Sequence, residues 1–153
     1  MRTWQRRMIG ILTLAGSGAG LAAVLQTIFG ERSTISALIV YVAALSVYVI
    51  GIIAGVSILE GSRKFHSLAV LFWALQIPFL ASPWLSYRFF SGIQLDVVLT
   101  LEPDLQFKWA VGSFFHFFLL PGEQVALGVN LVAIYVLRLL LKTPTEAGDQ
   151  EIG

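Results

Sequence analysis

Long apolar runs without charged residues dominate the chain. Residues 8–30, 33–59 and 67–87 contain no Asp, Glu, Lys or Arg, and a fourth apolar run follows Pro121 and Gly122. The hydrocarbon core of a bilayer requires about 20 apolar residues per helix. The pattern therefore predicts four transmembrane helices, over residues 8–29, 34–59, 66–86 and 122–141.

Between the third and fourth runs, over residues 93–112, the hydropathy pattern changes to alternation. Apolar side chains occupy the odd positions of 93–101 and of 105–111, on either side of a Glu-Pro-Asp turn. Period-two alternation around a proline turn predicts a β-hairpin over residues 93–112 with one apolar face. If the hairpin closes directly around that turn, Leu99 lies opposite Phe107.

The other face of this hairpin carries Asp96 near Lys108. Because an isolated hairpin is marginal in water, its apolar face must rest on another surface. The aromatic stretch 113–120 either extends the second strand or lies at the membrane interface. An alternative is one helix over 109–137, kinked at Pro121, but it would remove the second strand of the hairpin.

These elements predict an all-α membrane protein with a small β element. Residues 1–142 would form a single four-transmembrane-helix bundle, with an outward-facing β-hairpin between helices 3 and 4. The short link at 30–33 allows only an antiparallel turn, with Ser33 or Thr34 capping the second helix. Residues 143–153 form a polar tail that we expect to be disordered in the cytoplasm.

Composition and charge support a membrane location. The chain is 57% hydrophobic and 12% charged, whereas about a quarter of a soluble domain is charged. Seven of the ten basic residues lie on one side of the four-span order: Arg2, Arg6, Arg7, Arg63, Lys64, Arg138 and Lys142. The positive-inside rule then places both termini in the cytoplasm. Compact loops without an Asn-x-Ser/Thr site suggest a bacterial inner (plasma) membrane.

Small residues form a stripe on each of the first two predicted helices. Gly16 and Gly20 lie in the first, Gly51 and Gly55 lie in the second, and both pairs fit the GxxxG pattern. Small residues let helix backbones approach closely in a bilayer. We expect the two stripes to pack against each other, and the alternative is that one of them drives homodimerisation.

Few polar residues lie in or beside the predicted spans. Gln76 and Asn130 should face the bundle interior and join helices by hydrogen bonds. Arg88 should extend to lipid headgroups at the end of the third helix. His116 could belong to the aromatic belt, respond to pH or bind a metal. The candidate interaction or packing residues are therefore Gly16, Gly20, Gly51, Gly55, Gln76, Arg88, Asp96, Lys108, Trp109, His116 and Asn130.

No residue pattern predicts catalysis, a cofactor or a metal site. The chain has no cysteine, and its net charge of +1 argues against nucleic-acid binding. The leading hypothesis is a non-enzymatic structural or docking protein that binds a partner through the hairpin, with the Gly stripes as a route to homo-oligomers. The alternatives are a small transporter or channel subunit lined by Gln76 and Asn130, and a lipid-modifying enzyme that uses Arg88, His116 and Glu123.

Overall fold

The computed structural model describes residues 1–30, 34–62, 64–100, 105–119 and 125–142. The predicted turns at 31–33 and 102–104, the break at 121–122 and the tail at 143–153 lie outside these residues. The elements in chain order are α1 (Thr3–Gly30), α2 (Ile35–Glu60), α3 (His66–Ala74), β1 (Pro78–Ala81), β2 (Leu85–Thr100), β3 (Leu105–Leu119), β4 (Ala126–Asn130) and α4 (Leu131–Leu141).

The two long helices, α1 and α2, pack against each other as an antiparallel pair. Thr34 caps α2 by accepting a hydrogen bond from the Ala37 backbone N–H, and Gly61 ends it in the left-handed conformation. Among the described residues, two helices are long and apolar enough to cross a membrane, over Thr3–Gly30 and Ala37–Glu60. A 28-residue helix such as α1 is about 42 Å long.

The predicted third transmembrane helix over 66–86 is wrong. Helix α3 ends at Ala74 after only nine residues. Pro78 removes a backbone donor and disfavours helical geometry at Ile77, so the chain leaves the helix and begins β1. An uncharged apolar run does not by itself distinguish a helix from a buried strand. The hydroxyl of Tyr87 donates to the carbonyl of Leu75, at 2.7 Å, where α3 ends.

The predicted fourth transmembrane helix over 122–141 is also wrong. Residues Ala126–Asn130 form β4, and only Leu131–Leu141 are helical. The side chain of Asn130 accepts hydrogen bonds from the first amides of α4 and so fixes where that helix begins. Helices of 9 and 11 residues are too short for a 30 Å hydrocarbon core, so the four-transmembrane-helix bundle is not the fold.

A four-stranded antiparallel sheet replaces the missing helical segments. Its order is β1-β4-β2-β3, and β1 also pairs with the start of β2, through Phe79 opposite Arg88. Since β4 pairs with the end of β2, through Asp96 opposite Asn130, β1, β4 and the two ends of β2 form a closed ring. The sheet therefore curls upon itself, and β3 follows β2 along the outside of the ring.

The predicted small β-hairpin over 93–112 needs a matching correction. Its residues belong to two much longer strands of the curled sheet, so they do not form a separate outward element. The predicted kinked helix over 109–137 is wrong as well, because β3 extends to Leu119. Leu99 lies opposite Leu105 rather than Phe107, a shift of two residues. A shift of two leaves every side chain on its expected face, whereas a shift of one would exchange the faces.

An aromatic core joins the helices to the sheet. Phe89 of β2 packs edge to face against Tyr48 of α2 and Phe72 of α3, with ring centroids 5.7 and 5.6 Å apart. The indole N–H of Trp73 donates to the hydroxyl of Thr13, 3.2 Å away, so this buried donor of α3 is satisfied by α1. One core therefore holds both long helices, α3 and the sheet together.

Candidate functional site: a buried charge cluster beside an open strand edge

A bend in β2 at Gly92 positions the candidate site. Gly92 and its partner Gly112 both have positive φ, at 96° and 136°, which favours glycine. Gly16, at the midpoint of α1, lies against the backbone of Ser91 and Gly92, and the hydroxyl of Ser113 donates to its carbonyl. The bend of the sheet therefore contacts α1 halfway along its length.

The bend brings together three polar side chains of β2. A terminal nitrogen of the Arg88 guanidinium, Nη2, lies 3.5 Å from Asp96 Oδ2 and 3.3 Å from Gln94 Oε1. The amide of Gln94 also donates to Asp96. Asp96 is fully buried, whereas the side chain of Arg88 remains 28% exposed. We call Arg88, Gln94 and Asp96 the charge cluster, because they combine an ion pair with a neighbouring amide.

Aromatic rings surround the cation of this cluster. The guanidinium carbon of Arg88 lies 5.4 Å from the ring centroid of Phe79, 5.7 Å from that of Phe90 and 5.8 Å from that of Phe114. Cation–π contacts of this kind are stronger when the cation is partly desolvated. Arg88 is therefore held in the curl of the sheet. The prediction that it ends a helix and extends to lipid headgroups is wrong, because Arg88 lies in β2.

Several polar atoms around the cluster have no hydrogen-bond partner within the described residues. They are Arg88 Nε, Ser91 Oγ, Asp96 Oδ1 and Asn130 Nδ2. Buried polar atoms are normally paired with protein or with ordered water. The cluster is therefore only partly satisfied by its own side chains, and Asp96 keeps one free carboxylate oxygen.

Burial raises the pKa of Asp96, against the lowering effects of the Gln94 hydrogen bond and of the Arg88 and Lys108 charges. A carboxyl whose folded pKa is raised stabilises the fold at pH values below its unfolded pKa, and this stabilisation is lost as pH rises through the folded pKa. We expect the unfolding free energy of the wild type to fall, relative to that of Asp96→Asn, as pH rises from about 4. Unfolding titrations of both proteins in detergent at several pH values would measure this, and parallel pH profiles would contradict it.

The two amides predicted to lie in the spans both contact β2. Gln76 accepts a hydrogen bond from the Ser91 backbone N–H at 2.9 Å and donates to the Phe72 carbonyl at 3.4 Å. Asn130 accepts from the Leu95 backbone N–H at 3.4 Å, in addition to capping α4. Both side chains therefore hold the strand that carries the charge cluster.

The glycines of the two stripes lie at close backbone contacts within the chain. A side chain on Gly20 would overlap the ring of Tyr48, and one on Gly51 would overlap Ser17 and Phe72. A Cβ on Gly55 would lie 2.8 Å from the backbone nitrogen of Leu14. Three of the four glycines thus contact the facing long helix or α3, and Gly16 contacts the sheet instead.

The remaining predicted residues lie on β3. Lys108 is exposed and lies directly opposite Asp96, while Trp109 lies opposite Leu95 on the outer face and is 79% exposed. His116 is opposite Arg88 and stacks between Phe114 and Phe118, with centroids 6.0 and 5.3 Å away. No group of three or more metal-binding side chains occurs within the described residues.

Sequence reasoning missed Gln94 and Ser91 as members of the site. Gln94 and Asp96 are separated by two positions in an alternating run, which places both on one face of a strand. That spacing could have identified the pair. Ser91 carries no such signal, because the bend that positions it depends on contact with α1.

The outer edge of β3 is unpaired within the described part of the chain. Both edges of β1, of β4 and of each end of β2 are occupied by neighbouring strands, whereas β3 pairs only with β2 within the described part of the chain. The Leu95 backbone N–H points toward Asn130 and so away from β3. In an antiparallel pair, the backbone N–H groups of two opposite residues point either both toward or both away from each other. Trp109 is opposite Leu95, so its N–H also points away from the partner strand and faces the open edge of β3.

Comparison with known proteins gives no relative. No protein-family model, curated protein sequence or solved structure matches this chain.

Proposed function

We propose that the protein is a small membrane-embedded interaction protein that binds an extended segment of a partner protein along the open edge of β3. The observation that carries this proposal is the outer edge of β3, which pairs with no strand among the described residues. A row of free backbone donors and acceptors is a template for strand addition.

Membrane embedding is supported by the surfaces of the two long helices. Both are long and apolar enough to span a bilayer, and their exposed side chains are largely apolar. The large exposed apolar residues include Ile11, Leu25, Phe29, Ile35, Ile39, Val42 and Ile53. An exterior with many large exposed apolar side chains is typical of a protein surrounded by lipid.

The depth of the sheet explains why its edge needs a partner. Because Gly92 lies against Gly16 at the midpoint of α1, a membrane that surrounds α1 also surrounds part of the sheet. Unpaired backbone groups cost several kcal/mol each in hydrocarbon, where water cannot bind them. An extended partner strand would satisfy the outward-facing amides of β3, including that of Trp109.

The partner segment should be apolar and should come from a different protein. It would lie beside Phe107, Trp109 and Val111, which are all strongly exposed. Two copies of one edge pair symmetrically about an axis perpendicular to the sheet. The face of the sheet packs on α1, so an axis perpendicular to the sheet would lie in the membrane plane. Rotation about this axis would invert one copy. The Lys- and Arg-rich ends of the helices would then lie on opposite membrane surfaces, against the positive-inside rule.

Proline at Trp109 should abolish partner binding without unfolding the protein. The substitution removes an amide that faces the open edge and takes no part in pairing with β2. The measurement is photocrosslinking in cells from a benzophenone amino acid at Phe107, comparing Trp109→Pro with Trp109→Ala. We expect the crosslinked band to disappear in Trp109→Pro and to persist in Trp109→Ala.

Ala110→Pro provides the matched control, because the Ala110 amide faces β2. This variant should lower the unfolding temperature, whereas Trp109→Pro should lower it much less. Equal crosslinking in Trp109→Pro and Trp109→Ala would refute strand addition. A crosslinked band at twice the mass of the chain would refute a different protein as the partner and indicate a second copy.

A further inference from the structure

A pocket opens between the ends of the four helices. It has a volume of about 210 Å³ and lies where α1 begins, α2 ends, α3 begins and α4 ends. Its polar lining includes Arg6, Ser62 and His66, and its apolar lining includes Ile58 and Leu140. No acidic side chain lines it among the described residues. The pocket thus combines a cationic side with an apolar wall.

Arg6 supplies the guanidinium of this pocket, which Met1 also lines. Its guanidinium lies against Gly61, which ends α2 with a positive φ of 72°, so a side chain at Gly61 would collide with it. Its Nε is buried and has no hydrogen-bond partner in the described residues. A buried guanidinium nitrogen without an acceptor is costly, and an anion in the pocket would supply the missing acceptor.

Neighbouring donors could contribute to the same anion. His66 lines the pocket and begins α3, whose N-terminus has no side-chain cap. The first amides of an uncapped helix carry partial positive charge. These groups add to the guanidinium of Arg6, which remains the central feature.

The whole end of the molecule is basic. Among the described residues, its only acid is Glu60, against the basic residues Arg2, Arg6, Arg7, Lys64, Arg138 and Lys142. Anionic lipid surfaces attract clusters of Lys and Arg, and basic pockets between membrane helices bind phosphate-bearing headgroups. The wall formed by Ile58, Ala69 and Leu140 would suit the glycerol and upper acyl region of a lipid.

We propose that this pocket binds the phosphate group of an anionic phospholipid headgroup, with Arg6 as its main ligand. The guanidinium donates paired hydrogen bonds to phosphate oxygens, a geometry that an ammonium group cannot reproduce. This site is separate from the β3 edge, because none of its lining residues belongs to β3. The lipid would anchor the basic end at the membrane surface.

Arg7 provides a matched control, since it is the next residue on α1, carries the same charge and is exposed outside the pocket. Binding is measured by native mass spectrometry of the full chain released from detergent, titrated with phosphatidylglycerol. We expect Arg6→Gln to weaken the lipid adduct about tenfold, and Arg7→Gln to leave it within about twofold. Equal weakening by both variants would overturn the proposal in favour of a diffuse electrostatic attraction.

Two further measurements distinguish a lipid headgroup from free phosphate, and a loss of binding from a loss of folding. Inorganic phosphate at millimolar concentration should not displace the lipid, and displacement would overturn the assignment to a headgroup. His66→Gln leaves Arg6 in place and should weaken the adduct less than Arg6→Gln does. If Arg6→Gln lowers the unfolding temperature, Arg6→Lys serves instead, because it retains the charge. We expect Arg6→Lys to weaken the lipid adduct as well. Full lipid binding by Arg6→Lys would overturn the role of the paired guanidinium hydrogen bonds.

Discussion

Replacing Arg88 by alanine should destabilise the protein by about 3 kcal/mol. The substitution leaves Asp96 buried without its ion-pair partner, so the carboxyl must either stay charged in the interior or take up a proton. It also removes the guanidinium from its contacts with three phenyl rings. Reversible unfolding by SDS in mixed micelles, followed by tryptophan fluorescence, would measure the change.

The double variant Arg88→Met/Asp96→Leu is the control for this prediction. Removing both charges leaves no buried ion without a partner, so we expect it to recover most of the lost stability. A double variant that is no more stable than Arg88→Ala would contradict the ion pair as the cause. It would point instead to the packing of the arginine stem against the aromatic rings.

Gly20→Ala should destabilise the protein by about 2–3 kcal/mol. A Cβ at this position would overlap the ring of Tyr48, which is buried and packs edge to face against Phe89. The ring cannot move without disturbing the aromatic core, so α1 and α2 must separate instead. The same unfolding assay would detect the loss.

Gly18→Ala is the matched substitution two residues away on the same helix. Apart from the backbone of its own helix and its chain neighbours, no atom lies within 4 Å of the position that its Cβ would take, so it creates no clash. Alanine favours a helix by up to about 1 kcal/mol over glycine, so this variant should be neutral or more stable. Equal losses from Gly18→Ala and Gly20→Ala would show that backbone flexibility, and not the contact with Tyr48, makes glycine necessary.

The sequence pattern predicted α1 and α2 because both runs are long and contain no proline. The predicted helices at 8–29 and 34–59 differ from the observed ones mainly at their ends. The alternating run after Ile93 likewise indicated extended structure, because alternation leaves one apolar face on a strand. Local pattern was sufficient where the element depends mainly on its own residues.

The strands within the other two apolar runs, β1 and β4, could not be predicted in this way. Residues 78–81 and 126–129 have no polar side chain that would distinguish a strand from a helix, but they form strands because the two segments pair with each other. Their pairing joins positions about 50 residues apart, and hydropathy carries no information about such partners. Pro78 was the local signal that the third run is interrupted.

The candidate site was predicted only in part. The alternation predicted Asp96 near Lys108 on one face of the hairpin, and the observed register places the two residues directly opposite each other. The pairing of Arg88 with Asp96 was not predicted, since Arg88 was assigned to the end of a helix. Only the bend at Gly92 brings together residues eight positions apart on one strand, and that bend depends on contact with Gly16 of α1.

The closed ring of strands also imposes an order on biogenesis. The strand β4 is the last to be synthesised, yet it pairs with both β1 and β2. Until Asn130 leaves the ribosome, β1 and the end of β2 therefore lack the neighbour on one of their two edges and expose unpaired backbone to lipid or to other chains. The nascent protein should accordingly need shielding by the insertion machinery for longer than a helical bundle of equal length, whose helices satisfy their own backbones as they emerge.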